Sequence, residues 1–223
     1  MRLLIFDIDG TLLLNGPITK RLFGESFAEV VGHPPRIEEV RFHGNTDRGI
    51  FRLLVGDDHD AYERHFDGFA ASFTAKMREH YPSAEGPYLL PGARALVEAL
   101  HARPDAALAI GTGNIRETAY VKLGRFELDS FFPAGGFGGD HLVRSDMILG
   151  AIANARAHYD VDFDPAESWV IGDTINDVVA ARDAGCKVMG VMTGPHGRTD
   201  LAAADVVVDD LTQAESIAAR LFD

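Results

Sequence analysis

The sequence predicts an α/β protein, a parallel sheet with helices on both faces and a helical insertion near its start. Three observations predict it. The chain of 223 residues begins with a continuous apolar run, Leu3-Leu4-Ile5-Phe6, of the kind a strand covered on both faces requires. From residue 89 onward, short apolar runs alternate with stretches in which Leu, Val, Ile and Ala recur at helical spacing. Residues 15–88 carry helical patterns without a strong strand, and they lie between the turn signals "NGP" and "SAEGPYLLPG".

The first strand is Leu3–Phe6. Inside the insertion, "ITKRLFGESFAEVVG", "TDRGIFRLLVG" and "HDAYERHFDGFAASFTAKMREHY" have aromatic faces, which places Phe23, Phe27, Phe51, Phe66, Phe69 and Phe73 in a helix-bundle core. Beyond it, strands are expected at 106–111, 130–135, 168–172, 187–192 and 205–209, and helices at 91–103, 115–126, 145–159 and 176–185. The closing "DVVVDDL" reads as a last strand and an acidic exit. No internal repeat or low-complexity tract interrupts the pattern.

A formal net charge of −13 argues against nucleic acid or an anionic membrane surface as a partner, since phosphate backbones are bound by clustered Lys and Arg. A small molecule and a monomer or homodimer are the expectation. The single cysteine, Cys186, can form no internal disulfide, which fits a reducing compartment. No apolar stretch approaches the ~20 residues a bilayer span needs, and Asp7 and Asp9 stand where a signal peptide has its apolar centre. A cytoplasmic protein is expected.

Chemistry concentrates in three stretches. In "FDIDGTLL" (6–13), Asp7 and Asp9 end the first strand two residues apart and face one cleft unless the chain turns between them. Such a pair is tolerated only beside a cation, a proton or strong donors. In "VIGDTINDVVAARDAG" (170–185), Asp173 follows an apolar strand and Asp177 starts a helix that Asn176 or Thr174 can cap. Taken alone, Asp173 as a cap and Asp177 as a partner of the helix dipole would suffice. Together with Asp7 and Asp9, four carboxylates at two strand ends suit a hard divalent ion, Mg²⁺, in the absence of a Cys/His set. In "LAIGTGN" (108–114), Thr112 and the following Gly113 and Asn114 can donate to a phosphate oxygen at a helix start. A dinucleotide fingerprint is the rival there, but its third glycine is lacking.

Two features of the insertion complete the reading. His33, His43, His59, His65 and His80 have no ligand spacing. In "HGNTDRG" (43–49), Gly44 and Asn45 suggest a turn, after which Thr46, Asp47 and Arg48 either face a substrate or merely cap a helix.

On "DIDGTL", "GTGN" and "GDTIND" the chain resembles the haloacid dehalogenase superfamily, in its phosphoglycolate phosphatase-like branch, matching the first, second and fourth motifs. The resemblance covers essentially the whole chain. It implies a Rossmann-like core of residues 1–14 and 89–223, with a helical cap domain at 15–88. It also implies a Mg²⁺-dependent phosphatase of a small phosphorylated metabolite, phosphoglycolate- or sugar-phosphate-like.

Under that resemblance Asp7 is the nucleophile that forms an aspartyl-phosphate, and Asp9 protonates the leaving oxygen and then activates water. Asp7, the backbone carbonyl of Asp9 and Asp173 hold the metal, and Asp177 orders its waters or Arg144. Thr112, Gly113, Asn114 and Arg144 hold the phosphoryl oxygens. The third motif departs from the family, whose lysine after the third core strand is replaced by Arg144 in "HLVRSDMILGAI"; Lys122, the fallback, is expected at a helix surface. A phosphosugar mutase would use the same Asp7 and Asp9. Dehalogenase chemistry is disfavoured by Asp9. A non-catalytic phosphate- or Mg²⁺-binding module would not need the insertion.

Overall fold

The structure is a computed structural model describing residues 1–56 and 58–222. Strand β1 (Arg2–Phe6) leads into β2 (Leu13–Leu14), which pairs antiparallel with β3 (Tyr88–Leu89). Between β2 and β3 the chain builds α1 (Ile18–Val31), α2 (Asp47–Val55) and α3 (His59–His80). Then follow α4 (Ala93–His101), β4 (Ala106–Thr112), α5 (Arg116–Arg125), β5 (Ala134–Phe137) and α6 (Arg144–Tyr159). The chain ends with β6 (Trp169–Gly172), α7 (Ile175–Asp183), β7 (Lys187–Val191), β8 (Val206–Val208) and α8 (Ala214–Phe222). Among the described residues no helix is long and apolar enough to cross a membrane.

Six strands form one parallel sheet in the order β5-β4-β1-β6-β7-β8, as the alternating pattern predicts. β1 is central, and the two-residue period of a strand explains its unbroken apolar run. Leu4 and Phe6 pack on one face with Leu96, Leu123 and Leu221 from α4, α5 and α8. Leu3 and Ile5 pack on the other with Ile148, Ala151 and Val178 from α6 and α7.

Four elements differ from expectation: β5, α8, β2 and β3. The strand sought at 130–135 is β5 at Ala134–Phe137, preceded by a 3-10 turn over Asp129–Phe131. Its sequence, AGGF, hid it: a Cβ on Gly136 would overlap the Met147 carbonyl of α6, so only glycine lets helix and strand approach this closely. Beyond β8 and its acidic exit the chain adds α8, which no expectation covered and whose Ile217, Ala218 and Leu221 are buried. The two-residue strands β2 and β3 are too short for a period to register.

The inserted helices have a core of their own, in which all six phenylalanines named above are buried. Phe69 lies at its centre, with ring centroids 4.5 Å from Phe23, 4.8 Å from Phe51 and 5.7 Å from Phe73. Truncating it removes a fully buried ring from a closed packing. Phe69→Ala is therefore expected to destabilise the protein by about 3–5 kcal/mol in urea unfolding, whereas removing one surface aromatic such as Tyr88, half exposed on β3, should cost far less.

Candidate active site

The register of the sheet gathers residues that lie far apart in sequence. Phe6 stands opposite Ile110 of β4 and Ile171 of β6, and the Asp7 amide continues the ladder by donating to the Ile171 carbonyl at 2.9 Å. Thr112, Asp7 and Asp173 therefore emerge side by side from the carboxyl ends of three adjacent strands, the place where open parallel sheets take their ligands. Gly10, at φ 90°, turns the chain away; a Cβ there would collide with the Asp173 carboxylate.

Ligand atoms of Asp7, Asp173 and Asp177 lie within 4.8 Å of one another, and all three residues are buried. Burial, reinforced by the Asp177 charge, pushes Asp7 up to about 7 and Asp173 up to about 9. Thr11 Oγ1 donates to Asp173 Oδ1 at 3.1 Å, while Asp173 Oδ2 is buried without a hydrogen-bond partner. Asp177 is better served. Thr174 N and Oγ1 donate to its Oδ2 at 3.0 and 2.6 Å, closing a capping box at the start of α7, so Thr174 rather than Asn176 is the cap.

Two cations face this cluster from different sides. Arg144, the first residue of α6, donates to Asp177 Oδ1 and holds its Nη2 3.8 Å from Asp7; its buried Nε has no partner. Burial opposes its charge, but Asp177 and Asp7 outweigh that and raise its pKa. Lys122, expected at a surface, is instead completely buried, with Nζ 2.6 Å from Asp9 Oδ2 and 2.6 Å from Asn114 Oδ1. The reason is helical phase: Lys122 lies on the face of α5 with Thr118, Ala119 and Leu123, all buried against the core.

Asp9 is half-buried. Asn114 Nδ2 donates to its Oδ2 at 2.8 Å and Asn15 Nδ2 to its Oδ1 at 2.5 Å, while the Tyr81 hydroxyl donates to Asn15 Oδ1 at 2.7 Å. Burial raises its pKa, but the Lys122 ammonium and these amides outweigh it and hold Asp9 below the usual carboxylate range. Asn114, expected on phosphate, thus has its side chain committed to Asp9, Lys122 and Thr112 Oγ1. Motif reading offers Lys122 only as the fallback for Arg144, at a surface, which the buried phase of α5 corrects; it misses Asn15 and Tyr81, which nothing local signals.

Asp7, Asp9, Asn15, Asn114, Lys122 and Arg144 line a cavity of about 210 Å³ between the strand ends and the helical insertion, which contributes Lys20, His43, Asn45 and Asp47 to its walls. The loop before α2 is seated on the core. Asp47 N donates to the Gly113 carbonyl at 2.6 Å, so Gly113 is covered by this loop. Arg48 Nε donates to the Gly139 carbonyl at 2.7 Å, and Asn176 Nδ2 to the Gly44 carbonyl at 2.7 Å. Of Thr46, Asp47 and Arg48, expected either to face a substrate or to cap a helix, only Asp47 lines this cavity. Thr46 Oγ1 caps α2 through Gly49 N, and Arg48 lies over the Phe66 ring and bonds the Tyr62 hydroxyl.

A Rossmann-like sheet with an acidic, cation-balanced cleft at its strand ends, overlain by inserted helices, defines a class of hydrolases. The chain belongs to the haloacid dehalogenase-like hydrolase family, whose model matches residues 1–185. It is 29% identical over 216 residues to a phosphoglycolate phosphatase of Pseudomonas putida, across 94% of this chain and 77% of that one. It is also 24% identical to the pyrophosphatase PpaX of Anoxybacillus flavithermus, across 96% of this chain and 95% of that protein. Two solved structures share the fold. A hydrolase from Pseudomonas syringae superposes with a TM-score of 0.65 at 22% identity, covering 99% of each chain. CbbY from Rhodobacter sphaeroides in complex with phosphate superposes with a TM-score of 0.68 at 21% identity, covering 96% of each.

Asp47 offers a pH test at this cleft. Its buried carboxyl accepts from Ile115 N at 2.8 Å, and burial raises its pKa to about 6. A raised carboxyl binds more protons in the folded than in the unfolded chain, so its contribution to stability is present below the unfolded value near 4 and is lost as pH rises through 6. Asp47→Asn should flatten the fall in unfolding free energy between pH ~4 and ~7 by about 3 kcal/mol, read as the difference between wild-type and variant urea curves.

Proposed function

We propose that the chain is a Mg²⁺-dependent phosphatase that hydrolyses a small phosphorylated metabolite, phosphoglycolate- or sugar-phosphate-like, through an aspartyl-phosphate on Asp7. The observation that carries this reading is the convergence of Asp7, Asp9, Thr112 and Arg144 on one cavity, with Asp173 and Asp177 clustered against Asp7. Its volume of about 210 Å³ is below the ~300–1,000 Å³ typical of drug-sized ligands and suits a phosphoryl group with a short leaving group. Residues 1–14 and 89–223 would form the catalytic core, and residues 15–88 the cap that closes over the substrate. With its one cysteine buried at Cys186 and no membrane-crossing helix described, we assign it to the cytoplasm.

The donor set fits a divalent cation. Four carboxylates, Asp7, Asp9, Asp173 and Asp177, face two cations, Arg144 and Lys122, so full ionisation leaves two negative charges. The unpartnered Asp173 Oδ2 is the oxygen most in need of an ion. Asp7, Asp173 and the main-chain carbonyl of Asp9 would hold it, all oxygen ligands as Mg²⁺ prefers. Bound there, the ion neutralises charge on the transferring phosphoryl group.

The chain's own groups supply the rest. Asp7 attacks phosphorus as Asp9, having taken a proton from the monoanionic phosphate of the bound ester, passes it to the departing oxygen; Asp9, again a carboxylate, then takes a proton from the water that cleaves the acyl phosphate. Thr112 Oγ1 and the Arg144 guanidinium, whose Nε is free, are placed to receive the phosphoryl oxygens. Asp177 holds Arg144 in place.

The reading is tested by a panel of small phosphate monoesters with 4-nitrophenyl phosphate as reference. Turnover should require Mg²⁺ and vanish for Asp7→Asn with the melting temperature retained; turnover that survives chelator or Asp7→Asn overturns it. Arg144→Ala should lose on the order of a hundredfold in kcat/KM, about 3 kcal/mol, and Arg144→Lys less. Equal activity of Arg144→Ala and wild type would remove Arg144 from phosphate binding.

A further inference from the structure

We propose that Lys122 is the positioning residue for Asp9: its buried ammonium fixes the carboxylate toward the leaving group, while Arg144 serves Asp7, so the two cations divide the two acids between them. The inference rests on the phosphatase reading and deepens it by giving the acid/base its own support.

Lys122 is completely buried, and an ammonium is retained in such a place only against an anion or several acceptors. Its partners are Asp9 Oδ2 and Asn114 Oδ1, both at 2.6 Å. A lysine that merely propped the fold could pair with any carboxylate. This one pairs with the acid whose side chain remains 35% exposed to the cleft.

The surrounding contacts show why an amide alone would not hold Asp9. Asn15 fixes Oδ1 and Asn114 shares Oδ2 with Lys122. Asp7 and Asp47 line the same cavity. Without Lys122, Asp9 faces these like charges with neutral donors only, and Asn114 loses the donor that fixes its own amide. Arg144 cannot take over, because it is bound to Asp177 and turned toward Asp7.

The test uses the full chain, 4-nitrophenyl phosphate and the alkyl phosphate turned over fastest in the panel above. A nitrophenolate departs without a proton, whereas an alkoxide needs one, so damage to Asp9 in the phosphorylation step shows in kcat/KM for the alkyl ester only. Wild-type turnover of both esters tests the phosphatase reading; only the ratio between esters tests Lys122. Lys122→Met is expected to lose about a hundredfold or more on the alkyl ester and less than about tenfold on the aryl ester. In an Asp9→Asn background the same change should cost less than about threefold further on the aryl ester, because the residue it acts through is gone. Equal losses on the two esters, or a full additional loss beside Asp9→Asn, overturns the proposal. If Lys122→Met does not fold, Lys122→Arg carries the same comparison: a loss confined to the alkyl ester supports it, and an equal loss on both overturns it.

Discussion

Repulsion among the carboxylates of Asp7, Asp9, Asp173 and Asp177 is the constraint on which the rest of the molecule depends. Burial makes it severe, as the upward shifts of Asp7 and Asp173 record. The chain answers with built-in cations at positions that are otherwise unfavourable. Arg144 begins α6, where a helix dipole opposes a positive charge by ~0.3–1 kcal/mol; losing a partner from a buried ion pair costs about 3–5 kcal/mol, so the pairing with Asp177 decides its placement. Lys122 is likewise buried where a solvated ammonium would otherwise be preferred.

The strand ends show the same economy in their local devices. Asp177 closes the capping box of α7 with one oxygen and orients Arg144 with the other. The structural and the catalytic reading of that residue are therefore not rivals, since the cap is what aims the carboxylate. Thr11 holds one Asp173 oxygen, Thr193 Oγ1 donates to the Gly10 carbonyl at 2.5 Å, and Gly10 supplies the turn that brings these together. Helix capping, turn geometry and charge placement thus act on the same few residues.

Much of this was legible in the sequence because it is local. The unbroken run of β1, the β/α alternation and the aromatic faces of α1 and α3 declare themselves by period, and Asp7, Asp9, Thr112 and Asp173 each end a strand that can be recognised. What was not legible depends on phase or distance. Lys122 carries a surface residue's identity on a buried face of α5. Tyr81 reaches Asn15, and through it Asp9, because β2 and β3 bring the two ends of the insertion together. β5 was displaced because its glycines answer to the backbone of α6, which no periodic pattern encodes.

The seating of the loop before α2 explains why substrate choice is the hardest property to read from this chain. It is anchored through the main chain or to main-chain carbonyls: Asp47 N to Gly113 O, Arg48 N to Gly138 O, and the Asn176 side chain to Gly44 O. Main-chain anchors accept almost any side chain, so they place the loop without specifying what it shows to the cleft. His43, Asn45 and Asp47 line the cavity from that loop, whereas Thr46 caps α2 and Arg48 bridges Tyr62 of α3 and the Gly139 carbonyl. Anchoring contacts and cavity wall are interleaved along the six positions 43–48, and Asp47 serves both. The fold holds the loop over Asp7 and Asp9, and even at the cavity wall its side chains are tied down, Asp47 by the Ile115 amide and Asn45 by the Arg41 carbonyl.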